Sequence, residues 1–226
     1  MRAAHSSLTT GAVDVIGDFE NDGYAHIREL VPPEVARAIV ARLKEATGRR
    51  PIPLSKPQPF PAVLKHPAFD VPSDIFRPME FFLWGLTPTM SRLIGKDLLP
   101  SYTYFRIYLK DDICRVHSDR PSSEFGLSLT LEYSDDKVWD LQVGKERIDS
   151  LYPLSDDFGA MDYASVPMQV GDAVLYQGSH YAHGRMQPNP NKWSAHLFLF
   201  FVDRNGPYAG YAFDEKPFER VDFSFV

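Results

Sequence analysis

One cysteine, Cys114, occurs in 226 residues. That excludes an intramolecular disulfide, a cysteine-based zinc site and an iron–sulfur cluster. Runs of basic residues are also missing. Twenty-four Lys+Arg against 30 Asp+Glu leave a net charge of −6, a poor balance for gripping nucleic acid or an anionic membrane. The most apolar run, Leu197 to Val202, is six residues long, where a membrane helix needs ~20. The opening residues Met1 to Ser7 contain no apolar stretch of the kind a secretory leader carries. A cytoplasmic protein is therefore expected, with residues 1 to about 13 as a loose tail. Internal repeats and low-complexity segments are absent. What remains is ordinary for one globular domain: 44% hydrophobic and 24% charged residues, with 13% aromatics to fill a core. A metal, if present, has to be held by histidine and carboxylate, and the seven histidines make that feasible.

The chain divides into a helical first part and a strand-rich second part, expected as support (1–98) and core (99–226) of a single domain. Asp14 to Asp22 reads as a short helix stopped by Gly23, and Tyr24 to Leu30 as a strand. Pro32-Pro33 opens a helix that ends at Gly48. Val35, Ala38, Ile39, Leu43 and Ala46 recur along it at helical spacing. Residues 49–75 hold seven prolines and predict an extended loop. Met79 to Ile94 is apolar enough for a buried helix, with Gly85 and Pro88 as potential breaks.

From Ser101 the period changes to two. Tyr102, Tyr104, Arg106, Tyr108 and Lys110 share one face, and Thr103, Phe105, Ile107 and Leu109 the other. Phe125–Tyr133, Val138–Val143, Ala173–Gln177 and His196–Val202 are further strands. Many short strands without intervening helices predict a sandwich or barrel.

The sharpest local motif is His117-Ser118-Asp119. Residues i and i+2 of a strand share a side, so an imidazole and a carboxylate converge. With one distant histidine they make a two-histidine, one-carboxylate set, which leaves three coordination positions open. His180 and His183 compete for the third place. Three residues apart, they face opposite sides of an extended segment, so at most one is a ligand.

Four pieces together resemble the Fe(II)/2-oxoglutarate-dependent dioxygenases, in the branch similar to prolyl 4-hydroxylase catalytic domains. They are Phe19 to Tyr24 with the Pro32-Pro33-Glu34 helix, Arg106-Ile107-Tyr108 nine residues ahead of His117-Ser118-Asp119, Gly171 to Gly178 with His183 five residues on, and Lys192-Trp193 before the last apolar strand. The resemblance implies a mainly β (α+β) fold, a double-stranded β-helix or cupin-like jelly roll with N-terminal supporting helices. It implies an iron site of His117, Asp119 and His183, with 2-oxoglutarate as cosubstrate and O2 as oxidant. It implies a hydroxylase that releases succinate and CO2, acting on a small molecule or a protein side chain. Tyr108 would line the 2-oxoglutarate pocket. A basic residue beyond His183 would pair the far carboxylate, with Lys192 and Arg185 as the two candidates. The family's Gly-x-Arg-x-Ser signature is missing. Arg106 and Arg120 are candidate substrate contacts, and His180 and His196 read as supporting or structural. The rival is a cupin-type metal-binding or small-molecule-binding jelly roll that uses no 2-oxo acid. No nucleic-acid or membrane partner is expected. The 49–75 loop and the 144–168 insertion are candidate lids.

Overall fold

Two antiparallel sheets face one another in this chain, whose computed structural model describes residues 13–49 and 63–215. In chain order the elements are β1 (Asp14–Ile16), α1 (Phe19–Asp22), β2 (Tyr24–Arg28), α2 (Pro33–Arg49), β3 (Phe69–Pro72), α3 (Pro78–Ile94) and β4 (Leu98–Leu109). Then follow β5 (Cys114–His117), β6 (Phe125–Tyr133), β7 (Leu141–Arg147), β8 (Tyr163–Val166), β9 (Ala173–Tyr176), β10 (Tyr181–Arg185) and β11 (Trp193–Asp203). The larger sheet has the order β1-β2-β9-β6-β11-β4-β3, and the smaller β5-β10-β7-β8. The mainly β jelly roll expected from the sequence is what forms.

The period-two pattern decides which face of the large sheet meets what. Phe105, Leu127, Leu129, Leu131, Leu197, Leu199 and Phe201 pack against Ala36, Val40 and Leu43 of α2 and Met79, Leu83 and Met90 of α3. The alternate residues face the smaller sheet and line the lumen. There Tyr108, Phe198 and Phe200 cluster with Cys114 and Trp139. Tyr102 stacks on Phe200 at 4.5 Å and Tyr104 on Phe198 at 5.0 Å between ring centroids. Cross-strand aromatic pairs of this kind hold register as well as bury area.

Several local expectations need correction. Asp14–Ile16 is a strand paired with β2, and only Phe19–Asp22 is helical. Asp18 caps that turn, its carboxylate accepting the Glu20 and Asn21 N–H groups, and Gly23 ends it at φ 73°. The buried stripe of α2 runs through Ala36, Val40 and Leu43, while Val35 is exposed. Residues 50–62 of the proline-rich stretch lie outside the described residues, as does nearly all of the expected tail. Within 63–75 the chain forms β3, an edge strand that ends at Pro72, a position where proline removes no needed ladder bond. Pro88 does not break α3. It leaves the Trp84 carbonyl without its helical donor, and that residue is exposed to solvent. The strand expected at Val138–Val143 starts at Leu141 because Trp139 is tied elsewhere. Its Nε1 donates to the Gln187 carbonyl at 2.7 Å and its own carbonyl accepts from Arg185. The 144–168 insertion contains β8, paired to β7.

Candidate metal centre

His117 ends β5 and His183 lies in β10, and the two are direct register partners across the antiparallel pair. Their rings stand 4.6 Å apart. Asp119 follows two residues after His117. Its Oδ1 is 3.7 Å from His117 Nε2 and its Oδ2 3.5 Å from His183 Nε2. One ligand atom from each of the three residues lies within 4.8 Å of the others. His180 takes no part: its Nδ1 lies 3.3 Å from the Ile148 carbonyl.

Tautomers follow from the neighbours. His117 Nδ1 lies 2.7 Å from the Arg115 carbonyl, and His183 Nδ1 3.0 Å from the Tyr181 carbonyl. A carbonyl only accepts, so each Nδ1 carries the proton and each Nε2 presents its lone pair. Supports of this type orient metal-bound imidazoles. Burial and the neighbouring ring push the His117 pKa down to about 4, and burial does the same to His183. Burial pushes the Asp119 carboxyl up to about 6. Asp119 Oδ2 is buried and, among the described residues, has no hydrogen-bond partner. Two lone pairs and an orphaned carboxylate oxygen aimed at one point fit a divalent cation, and its charge would relieve the desolvated carboxylate.

Gly178 makes this approach feasible. The Asp119 N–H donates to the Gly178 carbonyl at 2.8 Å. A Cβ on Gly178 would collide with Asp119 Oδ2 and the Ser123 carbonyl. The Gly171-Asp172 pair further up the chain is structural. Asp172 accepts the Glu29 N–H at 2.9 Å and the Gln169 N–H at 3.0 Å, and meets His26 Nε2 at 3.0 Å. It thereby fastens the β2 end to the start of β9.

Arg185 lies two residues past His183 on β10 and is only 1% exposed. Its Nη1 donates to the Trp139 carbonyl at 2.7 Å, and its Nη2 lies 3.3 Å from Met168 Sδ and 3.4 Å from His196 Nδ1. The guanidinium sits over the Trp139 ring, 4.8 Å from its centroid. Among the described residues its hydrogen-bond contacts are a carbonyl, a thioether and a ring nitrogen. None is a carboxylate.

No protein-family model and no curated protein matches the chain. Solved structures do. A non-heme alpha-ketoglutarate-dependent carbocyclase, SnoK, from nogalamycin biosynthesis superimposes with TM-score 0.59 at 12% identity, covering 82% of this chain and 81% of that one. HygX from Streptomyces hygroscopicus, with nickel, 2-oxoglutarate and hygromycin B bound, gives 0.58 at 12%, covering 83% and 85%. A Pseudomonas putida prolyl-4-hydroxylase gives 0.54 at 12%, covering 81% and 95%. The fold is that of the 2-oxoglutarate, iron(II)-dependent oxygenases.

On this fold the remaining predicted residues fall into two groups, two in the lumen and two exposed. Tyr108 is buried in the lumen, edge-on to Trp139 at 5.0 Å and to His196 at 5.6 Å. Arg106 also faces the lumen, over the Tyr104 and Tyr108 rings. It is held by Asp70 of β3, with Nε and Nη2 donating to the two carboxylate oxygens at 2.6 and 2.9 Å. It is thus an inward salt-bridge partner. Arg120 is exposed, with its guanidinium 4.7 Å from the Tyr102 ring centroid. Lys192 is exposed in a turn, its N–H donating to Asp135 and its carbonyl accepting from Lys110. Sequence reasoning assigned no site role to Trp139 or Gly178, and read His196 only as supporting or structural. A glycine at a fixed distance before the second histidine was a usable signal for Gly178. Nothing local marks the other two. Among the described residues, no helix is long and apolar enough to cross a membrane.

Proposed function

We propose that this chain is an Fe(II)- and 2-oxoglutarate-dependent oxygenase that hydroxylates an unactivated C–H bond of a small molecule or a protein side chain, with release of succinate and CO2. The observation that carries the reading is the convergence of His117 Nε2, His183 Nε2 and the orphaned Asp119 oxygen, with the buried Arg185 two residues beyond His183 on β10. Iron bound by the triad would supply open coordination positions for a 2-oxo acid and for oxygen. The protein's part is binding and orientation. His117 and His183 keep their protons on Nδ1, so both lone pairs stay available. Arg185 gives the far carboxylate of the cosubstrate a buried counter-charge, and among the described residues no carboxylate is bonded to it. Tyr108 lies beside it. Lys192, exposed in its turn, is the weaker of the two cationic candidates. Tyr102, Tyr104, Phe198 and Phe200 form an aromatic wall that keeps water from the cosubstrate.

Small-molecule substrates suit this reading, since HygX holds hygromycin B. SnoN, another structural neighbour, is an epimerase, and SnoK a carbocyclase, so the outcome on this scaffold depends on how the substrate is presented. The net charge of −6 argues against a nucleic-acid substrate.

The test is thermal unfolding and succinate release with Mn(II) or Fe(II). 2-Oxoglutarate should raise the melting temperature only when metal is present. His117→Ala and His183→Ala should lose both the shift and succinate formation. A wild-type protein that binds metal but gains nothing from millimolar 2-oxoglutarate would instead be a cupin-type jelly roll.

A further inference from the structure

The helix α3 is apolar on both its faces. Met79, Leu83 and Met90 are buried against the large sheet, on the side of that sheet away from the lumen. On the opposite side of the helix, Pro78, Phe81, Trp84, Gly85 and Pro88 recur at three- and four-residue spacing. All five are exposed and none is charged, and the exposed Arg77 and Arg92 stand at the two ends of the stripe. Phe81 is the most exposed large hydrophobic side chain among the described residues, at 77%, and Trp84 is 57% exposed. A third ring extends the patch. Phe213 stacks on Trp84 at 5.6 Å between centroids and is itself 44% exposed. It holds that place at φ 60°, a left-handed conformation that bulky residues rarely adopt. A surface helix normally turns polar residues to water, and a helix apolar all round is a covered one.

Area and shape both point to what covers it. At about 200 Å² for a phenylalanine and about 250 Å² for a tryptophan, the three rings expose about 400 Å² of apolar surface. That is already the size at which a patch marks an interaction site. A standard interface takes about 800 Å² from each partner, and in homodimers about 65% of that, or about 500 Å², is apolar. With Pro78, Gly85 and Pro88 added, the patch comes to about this value. Its relief also complements itself. Phe81 and Trp84 make the N-terminal half of the stripe bulky, and Gly85 and Pro88 leave the C-terminal half low.

We propose that two copies of this chain pair through the exposed face of α3 into a symmetric dimer, with the two helices antiparallel. A two-fold axis passing by Trp84 and Gly85 sets Phe81 of each copy against Pro88 of the other and brings the two Trp84 rings together. The Trp84 carbonyl, unpaired because Pro88 has no N–H, then gains a donor in the indole N–H of the other copy. Arg77 and Arg92 fall at the rim, where charged side chains keep their water. The proposal uses nothing of the metal centre and stands apart from the function proposed above.

Sedimentation equilibrium of the full chain tests it. Standard interfaces reach micromolar affinity or better, so wild type at about 100 μM should sediment as a dimer. Phe81→Lys and Trp84→Lys should each raise the dissociation constant by at least about 30-fold, the size of an interface hot spot. Both side chains are exposed, so the variants should keep the wild-type circular dichroism. Leu151→Lys, at a side chain 72% exposed in the β7–β8 connection, should stay dimeric. A second readout needs no charge in the interface: wild-type tryptophan emission should shift to the blue as protein concentration rises, and that shift should vanish in Trp84→Phe. A wild type that remains monomeric at about 100 μM overturns the proposal, and so does a dimer that survives both lysine variants. Two further results would give the face to another occupant and overturn it as well. One is a dimer that appears only after residues 216–226 are deleted, which would assign the face to that segment. The other is a monomer that co-sediments with phosphatidylcholine vesicles and loses this in Trp84→Lys, which would assign it to a lipid surface.

Discussion

Gly178→Ala places one methyl group against the carboxylate that completes the triad. The added Cβ would overlap Asp119 Oδ2 and the Ser123 carbonyl. Backbone cannot yield easily here, because the Gly178 carbonyl holds the Asp119 N–H at 2.8 Å and the Asp119 carbonyl side leads directly into the Pro121–Ser123 turn. The side chain of Asp119 is what moves. Overpacking of this kind costs about 1–3 kcal/mol in fold stability. Displacing a supported ligand typically costs a factor of about 10–100 in metal affinity. The two effects separate in a thermal-shift titration. At a metal concentration of about 100 Kd, wild type gains about 2.7 kcal/mol from binding. At the same concentration, a tenfold weaker site gains about 1.4 kcal/mol and a hundredfold weaker one about 0.4 kcal/mol. In a chain of this size each kcal/mol is about 2–4 °C in melting temperature. The Mn(II)-induced shift of Gly178→Ala should therefore be about half that of wild type or less. Gly85 is the control: it is a helical glycine, and beyond its chain neighbours and its own helix backbone no heavy atom of the described residues lies within 4 Å of the place a Cβ would take. Gly85→Ala should stabilise by about 0.5–1 kcal/mol and leave the metal shift intact. An undiminished Mn(II) shift in Gly178→Ala would refute the idea that Gly178 sets the position of Asp119.

Three further outcomes follow from the geometry. Arg185→Leu should raise the KM for 2-oxoglutarate by a factor of at least about 10, while Lys192→Ala should stay within about twofold, and steady-state succinate release distinguishes them. Asp172 should contribute to acid stability. Burial opposes its ionisation, but the bonds from His26, Glu29 and Gln169 outweigh it and hold the pKa below the ordinary value. A lowered folded pKa means stabilisation that is complete above the unfolded value of about 3.9 and lost as the pH falls through the folded value. Urea midpoints at pH 6 and pH 3 should therefore differ more in wild type than in Asp172→Asn. Asp70→Asn strips Arg106 of its bidentate counter-ion, and denaturant unfolding should show a loss of about 2 kcal/mol, less than for a fully buried pair because Asp70 is partly exposed.

The triad was legible because two of its members are two residues apart on one strand end, where local geometry suffices. The residues alone left His180 and His183 open; the resemblance implied His183, and the β5–β10 register, a long-range fact, sets it opposite His117. The alternation of β4 named Tyr104, Arg106 and Tyr108 as one face, yet whether Arg106 was free for a ligand depended on Asp70. That residue sits in a segment that proline content had marked as loop. Arg185 was legible as one of two candidates for the far carboxylate, but its lack of a carboxylate partner among the described residues was not. His196 read only as supporting or structural, because its buried contacts with Thr130 and Arg185 exist only once β6, β10 and β11 are packed together. Asp14–Ile16 was misread because polar and apolar residues alternate too briefly there to separate a three-residue strand from a helical turn.

The register pairing of His117 with His183 joins positions far apart in the chain. These two imidazoles become neighbours only after β6 to β9 have been laid down and β10 has docked on β5. Contacts this non-local form late, since their loop-closure entropy must be met first. A metal ion therefore has no nascent site to nucleate around. It should load onto a finished barrel, and the apoprotein should refold at the same rate with or without metal while unfolding more slowly once it is bound.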